Sequence, residues 1–190
     1  MPQQEHPYPA SGAWLLDNRF RRWMEPPKRF VEKLSLTPEM TVVDFGCGPG
    51  FFTVELAKHA GRVVGVDLQA DMLKKARRKT EKAGVQNVEF LQSDGASLQL
   101  PDASVDLIML YTVFHEIADP DAAIKEFHRI LKPSGRLVIV EVIKKHLIPG
   151  APIQNSAELQ AKVEADGYKL QTLTPYRLYG IFFFTKKAPA

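Results

Sequence analysis

The chain has a single cysteine, Cys47, among its 190 residues. One thiol permits no intramolecular disulfide and no thiolate metal cluster. No apolar run approaches the ~20 residues a bilayer-spanning helix requires. The opening Met1-Pro2-Gln3-Gln4-Glu5-His6-Pro7 lacks the basic and then apolar stretches of a secretory leader. These absences predict a cytoplasmic protein without a transmembrane segment. Net charge is also scarce: 25 Lys and Arg against 22 Asp and Glu leave +3. That balance permits an anionic substrate without demanding one. His115-Glu116 has no second histidine three residues on, where Asp119 stands, so no zinc motif and no metal site is predicted.

What is present is an ordinary globular composition, 45% hydrophobic and 25% charged. The length suits one domain, able to bury roughly 70% of its unfolded surface. Residues 1–13, rich in Pro, Gln and Gly, read as a flexible arm. Trp14, Phe20, Trp23 and Phe30, mixed with Arg19, Arg21 and Arg22, predict one or two short helices laid on the domain. The expected organisation is an arm and helical cap over 1–30 and a single domain over 31–190.

From residue 41 strand and helix signals alternate. Short β-branched runs predict strands at Thr41–Phe45, Arg62–Asp67, Val88–Gln92, Val105–Thr112 and Arg136–Ile143. Helical spacing predicts helices at Phe51–Ala60, Gln69–Ala83 and Asp119–Leu131, with Pro120 and Asp121 in the last one's first turn. Pro133-Ser134-Gly135 is expected to turn the chain into the fifth strand. Such repetition means a parallel sheet with helices on both faces, an α/β, Rossmann-like fold. After residue 155 the order changes. A helix over Ser156–Asp166, capped by Ser156, precedes two runs, Tyr168–Leu173 and Leu178–Thr185, joined near Thr174-Pro175. They are too close for a helical crossover and predict an antiparallel hairpin at the sheet edge.

The strongest signal is Asp44-Phe45-Gly46-Cys47-Gly48-Pro49-Gly50, a glycine-rich turn between a buried strand and a helix. Glycines allow positive φ and close approach of a ligand, and ligands of open α/β sheets bind beyond the carboxyl ends of strands. Asp67 ends the second strand, where a carboxylate accepts from ribose hydroxyls. Asp94-Gly95-Ala96 follows the third strand, and Tyr111 to Glu116 follows the fourth. A nicotinamide or flavin dinucleotide wants G-x-G-x-x-G, but Phe51 occupies the third slot. Asp44 would repel a pyrophosphate and suit a cationic ligand.

The run V-V-D-F-G-C-G-P-G at 42–50 resembles motif I of the class I S-adenosylmethionine-dependent methyltransferases. Downstream, V-V-G-V-D-L at 63–68, F-L-Q-S-D-G-A at 90–96, L-P-D-A-S-V-D-L-I at 100–108 and L-K-P-S-G-R-L-V-I at 131–139 follow in order. The last two resemble the small-molecule group related to the quinone-biosynthesis enzymes. The resemblance implies a seven-stranded sheet with an antiparallel last strand, and S-adenosyl-L-methionine as cofactor. It implies that Asp44 and the backbone of Gly46 and Gly48 face the methionine moiety, within a loop completed by Cys47 and Gly50. Asp67 would bind both ribose hydroxyls, and Leu68 would pack on adenine. Asp94 would accept from the adenine amino group, with an N–H from Gly95 or Ala96, and Tyr111 would lie beside the methionine end.

His115 and Tyr111 are the candidate catalytic residues. Displacement from a sulfonium needs alignment and exclusion of water, and needs a base only if the nucleophile starts protonated. His115 therefore reads either as that base or as a ring that shapes the pocket. The expected partner is a small-molecule methyl acceptor, O-, C- or N-, walled by residues 8–24, the loop after the fourth strand and the loop 144–155. Two other readings stay open, a dinucleotide-dependent oxidoreductase and a non-catalytic S-adenosylmethionine-binding protein. Lys74, Lys75, Arg77, Arg78, Lys79 and Lys82 crowd one helix beside an apolar stripe of Leu73 and Ala76. Without interleaved aromatics they read as a solvated face, and no nucleic-acid partner is expected. The chain is expected to be a monomer or homodimer.

Overall fold

A computed structural model describes residues 26–143 and 155–187. The expected arm, the cap residues Trp14, Phe20 and Trp23, and most of the loop 144–155 lie outside the described residues. The chain divides after Asp94 into two compact units.

In the first unit, α1 (Pro27–Val31) runs into a 3-10 turn at Glu32–Leu34. Then follow β1 (Thr41–Phe45), α2 (Thr53–Ala57), β2 (Arg62–Asp67), α3 (Ala70–Lys82) and β3 (Val88–Gln92). The strands pair in parallel, β1 with β2 from Thr41↔Arg62 to Phe45↔Val66, and β2 with β3 from Val63↔Val88 to Asp67↔Gln92. Val42, Val43, Val63, Val64 and Val66 are fully buried. Each such side chain contributes about 1.5–3 kcal/mol. The α2 helix is shorter than the expected 51–60. Phe51 and Phe52 stay in turns, their rings edge-to-face at 4.8 Å, and both point into the core. On α3 the expected stripe gains Met72 and Thr80.

In the second unit, β4 (Val105–Tyr111) is followed by a 3-10 turn at Phe114–Glu116, α4 (Pro120–Ile130), β5 (Leu131–Val142), α5 (Ser156–Ala165), β6 (Tyr168–Tyr176) and β7 (Tyr179–Lys186). Asp119 caps α4, its Oδ1 accepting from the N–H of Ala122 at 3.0 Å. Three expectations are corrected. The fifth strand begins at Leu131, because Val105 pairs with Leu131 and Leu107 with Arg136. Lys132-Pro133-Ser134-Gly135 bulges out of a strand instead of preceding it. The cap of α5 is Asn155, whose Oδ1 accepts from the N–H of Ala157 at 3.0 Å, not Ser156. The hairpin turns at Arg177-Leu178, not at Thr174-Pro175, and Pro175 sits inside β6 opposite Gly180. A proline is tolerated there because β6 is an edge strand.

The strands make one seven-stranded sheet of order β3-β2-β1-β4-β5-β7-β6. β5–β7 and β6–β7 are antiparallel, as expected of the C-terminal hairpin. Among the described residues no helix is long and apolar enough to cross a membrane.

Candidate active site

The glycine loop leaves β1 one step beyond the Phe45↔Val66 pair, so it starts beside Asp67. Gly46, Gly48 and Gly50 have φ of 69°, 53° and 79°. This backbone would strain any residue with a Cβ. Gly50 has a second constraint, since a Cβ there would lie 3.2 Å from Ala76 of α3. A Cβ on Gly48 would meet nothing within 4 Å, so that side of the loop is open. The Cys47 N–H donates to the Val66 carbonyl at 2.9 Å. The Cys47 side chain packs with Leu73, Ala76 and Phe90, and burial, followed by the charges of Asp44 and Asp67, pushes its thiol well up. It fills space and offers no thiolate.

Asp67 ties the loop to β2. Its Oδ2 accepts from the Gly48 N–H at 2.8 Å and its Oδ1 from the Gln69 N–H at 2.9 Å. Partial burial raises its pKa, and those two backbone donors oppose the rise. Each oxygen keeps a second lone pair for a hydroxyl. Leu68, next in the chain, is 50% exposed, an apolar side chain left in solvent beside that carboxyl. Asp44 is 3% exposed, and its Oδ2 accepts from the Thr53 hydroxyl at 2.6 Å. Burial pushes its pKa up to about 6, with Asp67 adding to the rise and Thr53 and Lys79 opposing it. Thr53 carried no signal in the sequence, because its role depends on how α2 lands against β1.

Asp94, exposed, ends the first unit. Gly95, buried with φ 99°, opens the second, and Ala96 is exposed. Of the expected cofactor residues, hydrogen bonds bring together those of the glycine loop and Asp67.

In the second unit Tyr111 ends β4, buried, its ring 5.5 Å from that of Tyr179 at the start of β7. Thr112 follows with φ 53°, a left-handed conformation that is an outlier for a β-branched residue. Its N–H donates to the Val140 carbonyl at 2.8 Å. The strained step turns the chain into the 3-10 segment that carries His115. His115 Nδ1 lies 2.9 Å from Glu141 Oε2, and the Phe114 N–H donates to Glu141 Oε1 at 2.8 Å. Glu141 is wholly buried in β5. Sequence reasoning missed both Glu141 and Tyr179. The available signal was Glu141 as the one charged residue in the apolar run Leu137 to Ile143.

Together, a glycine loop on a parallel sheet and a buried acid beside it define an α/β protein whose loop would suit a nucleoside ligand carrying positive charge. Comparison with known proteins agrees. A family model described as a methyltransferase domain matches residues 43–139, and the chain belongs to that family. An uncharacterized 37.1 kDa protein of transposon TN4556 from Streptomyces fradiae is 39% identical over 114 residues, 58% of this chain and 32% of that protein. The ubiquinone/menaquinone biosynthesis C-methyltransferase UbiE of Escherichia coli is 34% identical over 127 residues, 64% of this chain and 51% of that enzyme. The chain thus spans about half or less of the length of these relatives. A SAM-dependent methyltransferase from Aquifex aeolicus superposes with a TM-score of 0.85 at 28% identity, covering 95% of this chain and all of that one.

By family and fold the chain carries a class I, S-adenosylmethionine-dependent methyltransferase domain, similar to the quinone-biosynthesis enzymes. The residues present fit the cofactor. The open space over Gly48, the Asp67 carboxyl and the exposed Leu68 offer room, a hydroxyl acceptor and an apolar shelf, and Asp44 offers negative charge. When bound, the cofactor supplies an electrophilic methyl group on a sulfonium.

Proposed function

We propose that the protein transfers this methyl group to a small molecule carrying an O-, C- or N-acceptor, in the cytoplasm. Asp44 and the Gly46–Gly50 loop, Cys47 included, hold the methionine part. Asp67 holds the ribose, Leu68 packs on the base, and Asp94, Gly95 and Ala96 fix its edge. Tyr111 and His115 serve the reaction, Tyr111 by orienting the methyl-bearing end.

The observation that carries the small-molecule reading is the Tyr111–Tyr179 ring pair at the end of β4, with centroids 5.5 Å apart. Such a wall suits a compact, flat acceptor. The basic helix is read as a solvated face. Arg77 lies over the Phe90 ring at 5.2 Å, Lys79 over the Phe51 ring at 5.8 Å, and Lys74 pairs with Asp71 at 3.0 Å. These three cations engage aromatics and an acid of the chain itself. The likeness to a quinone C-methyltransferase also supports a small-molecule acceptor. The test is methyl transfer from radiolabelled S-adenosylmethionine to a metabolite panel rich in phenols and quinols, with RNA, DNA and protein fractions alongside. Label in small-molecule product is expected. Label confined to a macromolecule would reverse the reading.

A further inference from the structure

Glu141 is an acid on a strand whose neighbours are all apolar, and nothing in cofactor binding calls for it. Its two oxygens are used separately. Oε1 takes the Phe114 N–H at 2.8 Å and Oε2 faces His115 Nδ1 at 2.9 Å. A carboxylate that already accepts from a backbone N–H asks for a second donor, so Nδ1 carries the ring hydrogen. The lone pair is then on Nε2. Two further features show that the arrangement is built. His115 is only 15% exposed against 0% for Glu141, and Thr112 accepts a left-handed φ of 53° three residues ahead of His115. Such strain costs about 1–3 kcal/mol and persists where surrounding contacts enforce it.

We propose that Glu141 is a positioning residue which fixes His115 as the Nδ1–H tautomer, so that Nε2 takes a proton from a hydroxyl of the methyl acceptor. This rests on the small-molecule reading above and narrows it to acceptors that reach the enzyme protonated, phenols or enols, in preference to amines with a free lone pair. As the acceptor's electron pair forms the new bond to the methyl carbon, the carbon–sulfur bond breaks and its pair returns to sulfur. The hydroxyl proton passes to Nε2. The imidazolium so formed sits against the Glu141 carboxylate, which offsets its charge. Glu141 from β5 and Glu116 from the ring's own turn, with Oε1 3.9 Å from Nε2, face the imidazole, and both favour the protonated ring.

Ring nitrogen NMR on the full-length, 15N-histidine-labelled protein with S-adenosylhomocysteine bound tests this without an acceptor. The chain has five histidines, and His115→Gln assigns the signal. The parent should show neutral His115 as the Nδ1–H tautomer, titrating at least one pH unit above its midpoint in Glu141→Gln. An Nε2–H tautomer, or equal midpoints, overturns the proposal. If Glu141→Gln does not fold, the parent's tautomer still decides. With a phenolic acceptor, Glu141→Gln should lower kcat at least tenfold, leave KM for the cofactor unchanged and move the acid limb of the pH profile downward. A kcat within twofold of the parent also overturns it. A metabolite panel that yields no product defeats the small-molecule reading and leaves the ring titration standing as a separate result.

Discussion

Asp44 and Glu141 are both acids sealed among apolar strand residues, and the protein treats them differently. Asp44 is met by the Thr53 hydroxyl, and its carboxyl is driven up to about 6 by burial. Glu141 is met on both oxygens, by a backbone N–H and an imidazole. The cost of burying a charge falls with each donor aimed at it. An acid short of donors remains a demand for a cation, which a sulfonium ligand answers. An acid with complete partners uses its charge to orient a neighbour. On the proposed reading, the first arrangement would serve a cofactor cradle and the second a ring that moves protons.

The largest effect is expected at Asp67, which grips the loop and is proposed to hold the ribose. Asp67→Ala is expected to weaken cofactor binding by more than tenfold in calorimetry, and unchanged affinity would remove its ribose role. Next comes pH. Ionised Asp44 is the form that attracts a cationic ligand, so cofactor affinity should tighten as pH rises through about 6. The gain is up to about tenfold from one unit below that value. Asp44→Asn should flatten the profile, and Thr53→Val should move the inflection upward. A parent slope retained in Asp44→Asn would sink this account.

Without ligand the sign reverses. The folded protein keeps the Asp44 proton up to about 6, the unfolded chain only to the ordinary 3.8. The stability this contributes is complete below pH 3.8 and lost as pH rises through about 6. It amounts to up to about 3 kcal/mol, read as the difference between parent and Asp44→Asn in denaturant titrations, where the other acids cancel. A smaller effect is due at Tyr179→Leu, which breaks the ring pair with Tyr111 and should cost about 0.5–1.5 kcal/mol in thermal unfolding. The least is expected from His115→Ala on cofactor affinity, within twofold of the parent, while turnover of a hydroxyl acceptor drops. A large loss of affinity instead would place His115 in the cradle.

What was legible in the sequence follows from how local each signal is. The loop from Asp44 to Gly50 announces itself, because positive φ demands glycine at each of three places and the acid stands beside them. Asp67 was legible from its place at a strand end. The pairing of His115 with Glu141 was not, since 26 residues separate them. It depends on the register that sets Tyr111 beside Val140 and on the turn at Thr112. Pro175 misled for a related reason. A proline reads as a turn until strand order shows that β6 lies outermost, where a missing N–H breaks no ladder. Likewise Pro133 and Gly135 read as a connection, and only the Val105↔Leu131 pair reveals a bulge.

That proline has a further effect on how molecules of this protein meet. A sheet ends in a row of hydrogen-bonding groups that a stray strand can copy, and short, charged or proline-bearing borders discourage it. At one border Pro175 deletes a rung near the end of β6, and at the other β3 is five residues long and carries Glu89. Both margins are poor templates, so the sheet resists being extended into a ribbon of many chains.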